Sequence, residues 1–397
     1  MRLVFSTDNF VYGGRVRPGF PLILNDEMKP AQPFHSYLRF RLLEQGRALD
    51  IKTWEAYGRR LWDFSRFLHD NDLAWDKEFS SYGASVIRAY RDWQVEDLCL
   101  EPSTVNDRLK VVGDFYCWAH TRGLVRRIPF VERDVVVRGV EHDFAHLTGG
   151  RMTIGRSDLL VDEWTKEPVF LTAEQIQVAR STIRATPQRI LFDLMCRVGL
   201  RAVEARTFPL AYVFDPAKRV ALDRGALIDV PLHPRDMELK FKKPRVVHVP
   251  YGLMEEMHAY SQFERNCRSV GSESKALLLT ACGNAYSKGS AYKAMRDLGR
   301  KVGFNIRPLM LRHSYAIHTL LLLRSRPDIK LEPLMYIRDR LGHRSVHTTM
   351  VYLKQIERLL GAEALAMLEE FDRMYEVGPA LRASNQRAIP SRQSGPS

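Results

Sequence analysis

Two stretches of this chain repeat their apolar residues every three or four positions, a spacing that suits an α-helix and almost nothing else. From Thr53 onward Trp54, Tyr57, Leu61, Phe64 and Leu68 follow one another in this way, which brings all of them to one helix face. Lys52, Arg59, Arg60 and Arg66 are left largely for the other faces. Val105, Leu109, Val112, Tyr116 and Ala119 form the second series, with Pro102 and Ser103 as an N-cap pair and Gly123 as a stop. Tyr37 with Leu38, and Val86 with Tyr90, predict two further helices. Residues 30–127 are therefore expected to form a helical bundle whose apolar stripes are core and whose exterior is basic.

Periodicity then fails, and Gly149, Gly150 and Gly155 interrupt a mixed stretch, so residues 128–167 read as a linker with irregular structure. A second domain is expected over 168–376. Thr172 followed by Gln175 is a capping-box pattern, and Pro187 with Gly199 brackets another helix. The β-prone segments Val220 to Leu222, Met237 to Phe241 and Val246 to Val249 predict a small antiparallel sheet. From Ser287 the pattern is helical again. Residues 377–397, rich in Pro, Ser and Gly with three arginines and no acid, read as a flexible tail. The fold class is thus mainly α with a small β-sheet.

The length of 397 residues suits two domains, each burying its own core. Lysine and arginine exceed aspartate and glutamate by 60 to 47, a formal charge of +13, which favours a polyanionic partner. An anionic membrane is the lesser choice, because the longest apolar runs, such as Leu320 to Leu323, are too short to span a bilayer. The opening stretch lacks an apolar segment of the secretory kind, so a cytoplasmic, nucleoid-associated protein is expected. The five cysteines (Cys99, Cys117, Cys196, Cys267 and Cys282) have no paired short spacing and read as reduced, mostly buried thiols. His142 with His146, and His343 with His347, lie four apart without a third ligand, so no metal is expected. No Gly-x-x-x-x-Gly-Lys loop suggests a nucleotide, and the expectation is no cofactor at all.

Transesterification of a phosphodiester needs a nucleophile, cations on the non-bridging oxygens and an acid for the leaving hydroxyl. The second domain carries these residue types in three pieces. Gly199, Leu200, Arg201, Ala202, Val203 and Glu204 form the first; Leu311, Arg312, His313, Ser314 and Tyr315 the second. The third is Leu341, Gly342 and His343, then Thr348 and Thr349, with Tyr352 nine residues after the histidine. Each alone is weak, since an Arg-x-x-Glu pair is common on surfaces.

In this order the pieces resemble the tyrosine recombinase family, to which Cre, the Xer recombinases and lambda integrase belong. The resemblance extends to the first domain, where Thr104, Val105, Phe115, Tyr116 and Trp118 look like the family's SAM-like core-binding bundle, followed by a mixed α/β catalytic domain. It implies a site-specific recombinase or integrase that breaks and rejoins DNA through a 3′-phosphotyrosine, without metal or ATP. By that resemblance Tyr352 is the nucleophile, Arg201 and Arg312 bind the phosphate, His343 donates to it or assists proton transfer, and Glu204 orients. The family's lysine sits on a β-hairpin between the first two pieces; Lys240, ahead of Arg245, Val246 and Val247, fits best, with Lys242 and Lys243 as competitors. Lys242, Lys243, Arg245, Arg59 and Arg60 are expected on the DNA backbone. The partners implied are duplex DNA with inverted-repeat sites, clamped between the two domains, a homotetramer of this chain on that DNA, and accessory proteins. The helix after Tyr352, with Ile356, Leu359, Leu360, Leu368 and Phe371, would pack on a neighbouring subunit or on its own domain.

One position departs from the pattern. Leu309 stands where the family usually has a histidine, three residues before the second arginine, and leucine can neither accept a proton nor bond a phosphate. His313, directly after that arginine, is expected to pack or cap locally and to give support only. Retained activity, dependence on a partner, and a catalytically weakened or inactive DNA-binding relative all stay open. A type IB topoisomerase shares the chemistry, but the boxed motifs and the N-terminal bundle favour the recombinase.

Overall fold

The computed structural model describes residues 1–45, 50–136, 153–164, 167–219, 222–269, 273–325, 331–343, 346 and 348–361. His142, His146, Gly149, Gly150, His347, Leu368, Phe371 and the expected tail lie outside the described residues. The chain forms two compact units, Met1–Thr165 and Lys166–Ser397.

The first unit opens on an element that the periodicity did not predict. Strands β1 (Arg2–Phe5) and β4 (Pro21–Leu24) pair antiparallel, and β2 (Val11–Tyr12) with β3 (Arg15–Val16) forms a short hairpin between them. The helices follow as α1 (Phe34–Arg39), α2 (Ile51–Asp70), α3 (Val86–Asp92) and α4 (Pro102–Thr121). Trp54, Leu61, Phe64 and Leu68 of α2 and Val105, Leu109, Val112 and Tyr116 of α4 are buried in one core, as their spacing required. In α4, Pro102 is the first helical residue and Glu101 the N-cap, so Ser103 falls two residues too late to cap. Gly58 lets β4 lie close against α2: a Cβ there would fall 2.3 Å from Pro21 Cβ. Part of the expected linker is ordered, with β5 (Glu132–Val136) pairing antiparallel to β6 (Thr153–Ser157).

In the second unit α5 (Ala173–Thr182) begins with the expected capping box, Thr172 Oγ1 accepting from Gln175 N and Gln175 Oε1 from Thr172 N. Then come α6 (Thr186–Cys196) and the short α7 (Ala202–Arg206). The sheet is a single hairpin of β7 (Leu227–Leu232) and β8 (Arg245–Pro250), in the register Leu232 to Arg245 and Val230 to Val247. Helices α8 (Tyr251–Gln262), α9 (Glu264–Arg268), α10 (Lys288–Val302), α11 (Pro308–Arg324) and α12 (Pro333–Leu341) complete it, with a last helix, α13, over residues 348–361.

The expected strand at Met237 to Phe241 is absent, and of the segment Val220 to Leu222 only Leu222 is described, outside any strand. Met237 and Leu239 are buried apolar plugs that seat the β7–β8 loop on the core. The true partner of β8, Leu227–Leu232, alternates exposed and buried residues, with Asp229 and Pro231 on the open face. Among the thiols Cys196 is buried, whereas Cys99, Cys267 and Cys282 are exposed, so the expectation of mostly buried cysteines fails. Among the described residues no helix is long and apolar enough to cross a membrane.

Candidate active site

The site begins where α6 ends. Gly199 takes a left-handed φ of +75°, and a Cβ there would meet the Tyr315 ring at 2.4 Å, so both backbone and packing demand glycine. The turn delivers Arg201 to the N-terminus of α7. Glu204 reaches back one turn, accepting from Arg201 N at 2.9 Å and Arg201 Nη1 at 3.0 Å.

Glu204 is fully buried, and its second partner is Arg245 at the start of β8. Arg245 donates from Nη1 at 3.1 Å and from Nη2 at 2.6 Å, while its Nε donates to the Arg340 carbonyl at 2.9 Å. Burial alone would raise the Glu204 pKa, but the Arg245 hydrogen bonds and the charges of Arg245, Arg312 and Arg201 outweigh it and hold the pKa below the usual carboxylate range. Arg245, expected on the DNA backbone, is therefore turned inward. It ties β8 to α7 and α12, and its guanidinium is spent on that bidentate pair.

Arg312 comes from the first turns of α11 and is buried. Nη1 donates to the Gly199 carbonyl at 2.7 Å and Nη2 to the Leu341 carbonyl at 2.6 Å. Burial and the neighbouring Arg201 pull its pKa down to about 9, so it stays a cation at neutral pH. Two of its five N–H bonds are used, which leaves donors for a phosphate.

His343 follows Gly342, the left-handed cap of α12. Its Nδ1 lies 3.0 Å from the buried Thr349 Oγ1. Burial first, then Arg312 and Arg201, bring its pKa down to about 3, so the ring is neutral. When Thr349 donates to Nδ1, the proton sits on Nε2 and can be donated onward. Tyr352 lies one turn into α13 and is 3% exposed. Its ring is roughly parallel to that of His343, with centroids 6.3 Å apart. Burial raises the Tyr352 pKa, opposed by Arg312 and Arg201.

His313 was expected to pack or cap locally. Instead its Nδ1 stands 2.9 Å from the Tyr352 hydroxyl. Leu309, one turn earlier on the same helix, is 59% exposed. The sequence signal for this contact was the spacing of four between Leu309 and His313, which puts the two on one helix face. Thr349 was missed in the same way, although it lies within the third motif.

Lys240, Lys242 and Lys243 lie in the β7–β8 loop, where Phe241 and Lys242 have φ of 64° and 50°. This left-handed pair turns the loop back, with Lys240 Nζ 5.0 Å from the centre of the Phe241 ring. Lys240, Lys243, Arg340 and His343 line one cleft; Lys242 is exposed and does not line it. Arg59 and Arg60 belong to the first unit. Arg59 is an exposed cation paired with Glu55, and Arg60 is held by Asp107 of α4.

The sequence pattern of the phage integrase family matches residues 170–358. Tyrosine recombinase XerA of Thermococcus kodakarensis is 30% identical over 209 residues, covering 51% of this chain and 64% of the relative, so the match spans slightly under two thirds of that relative. Among solved structures, the XerH site-specific recombinase bound to palindromic difH substrate aligns with a TM-score of 0.55 at 16% identity, over 84% of this chain and 85% of that one. The Tn1549 transposon integrase, in complex with transposon right end DNA, aligns at 0.53 with 12% identity, over 80% of this chain and 92% of that one. At these identities the structures speak for the fold.

Proposed function

We propose, from the match of residues 170–358 to the phage integrase family, that this protein is a site-specific DNA recombinase acting through Tyr352. The observation that carries the reading is the Tyr352 phenol set beside two histidines, with His313 Nδ1 2.9 Å from its hydroxyl and the His343 ring 6.3 Å from its own, while Arg201 and Arg312 converge on the buried Glu204.

The chemistry follows from the residues. Tyr352 Oη attacks the scissile phosphorus, and the bond to the 5′ oxygen breaks, leaving a 3′-phosphotyrosine. Arg201 and Arg312 neutralise the non-bridging oxygens as charge accumulates there; Arg201 is pre-set by Glu204 and Arg312 by the Gly199 and Leu341 carbonyls, so little reorganises during the step. His343 donates from Nε2 to the same oxygens. Lys240, with Lys243 as its neighbour in the cleft, protonates the departing 5′ oxygen. Each group needed is supplied by a side chain, so neither metal nor nucleotide is required.

A complete exchange breaks four strands, so a tetramer on two inverted-repeat DNA sites is the working assembly. Exposed Leu309 favours a second reading, a DNA-binding relative that no longer cleaves. A direct test incubates the purified protein, in chelator and without nucleotide, with a plasmid carrying two copies of an inverted-repeat DNA site that it binds. Resolved or inverted plasmid supports the recombinase; unchanged plasmid with retained site-specific binding supports the second reading.

A further inference from the structure

Tyrosine is a poor nucleophile until its proton leaves, and here burial makes that loss harder. The group at the usual histidine position, Leu309, can take no proton. We propose that His313 is the proton acceptor for Tyr352, its imidazole doing from one helical turn later what residue 309 cannot do in this chain. The proposal rests on the recombinase reading above.

The geometry singles out one nitrogen. His313 Nδ1 is 2.9 Å from the Tyr352 hydroxyl, within the range that a general base requires. The His343 ring faces the Tyr352 ring, and its Nδ1 is engaged with Thr349; it donates better than it accepts. His313 is presented by α11, whose next residue back is Arg312, and is faced by Tyr352 of α13 and by His343 after α12. Burial and the Arg312 charge hold its pKa down to about 4, so it meets the phenol as a free base at neutral pH. In the Nε2–H form, Nδ1 accepts the hydrogen bond of the phenol.

The step balances within the site. As the Tyr352 oxygen bonds to phosphorus, its proton passes to His313 Nδ1, giving an imidazolium. The bond from phosphorus to the 5′ oxygen breaks, and that oxygen takes a proton from Lys240. In rejoining, the 5′ hydroxyl attacks and returns its proton to Lys240, and His313 protonates the departing tyrosine. The imidazolium exists only while the phosphotyrosine does. A weak base suits this cycle, because it gives the proton back readily.

Single-turnover adduct formation on a nicked suicide duplex tests the role, measured from about pH 5.5 to 8.5 with wild type, His313→Ala and His313→Asn. Wild type is expected to be flat through the neutral range, since His313 is already neutral there. His313→Ala should be slower by about a hundredfold at neutral pH, with log rate climbing by close to one for each pH unit as hydroxide takes over the deprotonation. Added imidazole should recover part of the loss in His313→Ala. His313→Asn, which can hydrogen-bond but not take the proton, should show the same slope, and it carries the test if the alanine variant fails to fold. A variant rate within threefold of wild type, or a uniform loss with an unchanged pH profile and no response to imidazole, overturns the assignment. If wild type forms no adduct on DNA that it binds, the recombinase reading itself has failed, which is a different outcome.

Discussion

Arg312 donates a 2.7 Å hydrogen bond to the carbonyl oxygen of Gly199, the residue whose left-handed turn aims Arg201 at the same site. One phosphate-binding arginine is thus held by the loop that presents the other. Gly199→Ala strains that turn and drives a methyl group into Tyr315. The left-handed penalty together with overpacking should cost about 3 kcal/mol of stability. Thermal or denaturant unfolding checks this, and any folded fraction should bind DNA yet cleave slowly.

Glu204 neutralises a cluster in which Arg201, Arg245 and Arg312 would otherwise repel one another. Glu204→Gln keeps the shape and removes the charge. Breaking a buried ionic group on one side costs roughly 3 to 5 kcal/mol. Denaturant midpoints should fall accordingly, whereas Glu55→Gln, at an exposed pair with Arg59, should change stability by less than about 1 kcal/mol.

His313 and His343 titrate near the ordinary histidine value of about 6.5 in the unfolded chain, but only at about 4 and about 3 when folded. Between these limits the unfolded state binds more protons, so stability rises with pH. The penalty is absent above pH of about 6.5 and grows as the pH falls towards 4. The melting temperature should therefore drop from neutral pH to about pH 5, and His313→Gln should flatten that slope. An equal slope in the variant would contradict the burial of a neutral ring.

Lys240, if it protonates the leaving 5′ oxygen, has a defect that depends on the leaving group. Lys240→Ala should cleave ordinary DNA about a hundredfold more slowly. On a substrate with sulfur at the bridging 5′ position, which departs as a stable thiolate, its rate should return towards wild type. Alanine at Arg201 or Arg312 should not recover, since those groups act on the non-bridging oxygens. Equal defects of Lys240→Ala on both substrates would move the acid role to Lys243, its neighbour in the cleft.

The helices could be read from the sequence because burial and periodicity agree in them: every apolar position of the Val105 series lies in the core of α4 or against it. The hairpin could not. Asp229 and Pro231 break the apolar look of β7 without disturbing its buried face, while Met237 and Leu239 look like a strand and act as plugs. The reactive residues were legible as types at a spacing, but their partners depend on contacts across tens of residues. Arg245 looks like any surface cation in sequence; only the meeting of β8 with α7 gives it Glu204. His313 lies 39 residues from Tyr352, and its spacing of four from Leu309 is the one local hint that joins them.

The account stands on Tyr352 as the nucleophile. Wild type and Tyr352→Phe protein, matched for DNA affinity, should be incubated with the nicked suicide duplex, denatured, and the attached peptide mapped by mass. The account predicts that wild type carries the 3′ phosphate on the peptide containing Tyr352 and that Tyr352→Phe carries none. An adduct that persists in Tyr352→Phe, or one that maps to another residue, would contradict it.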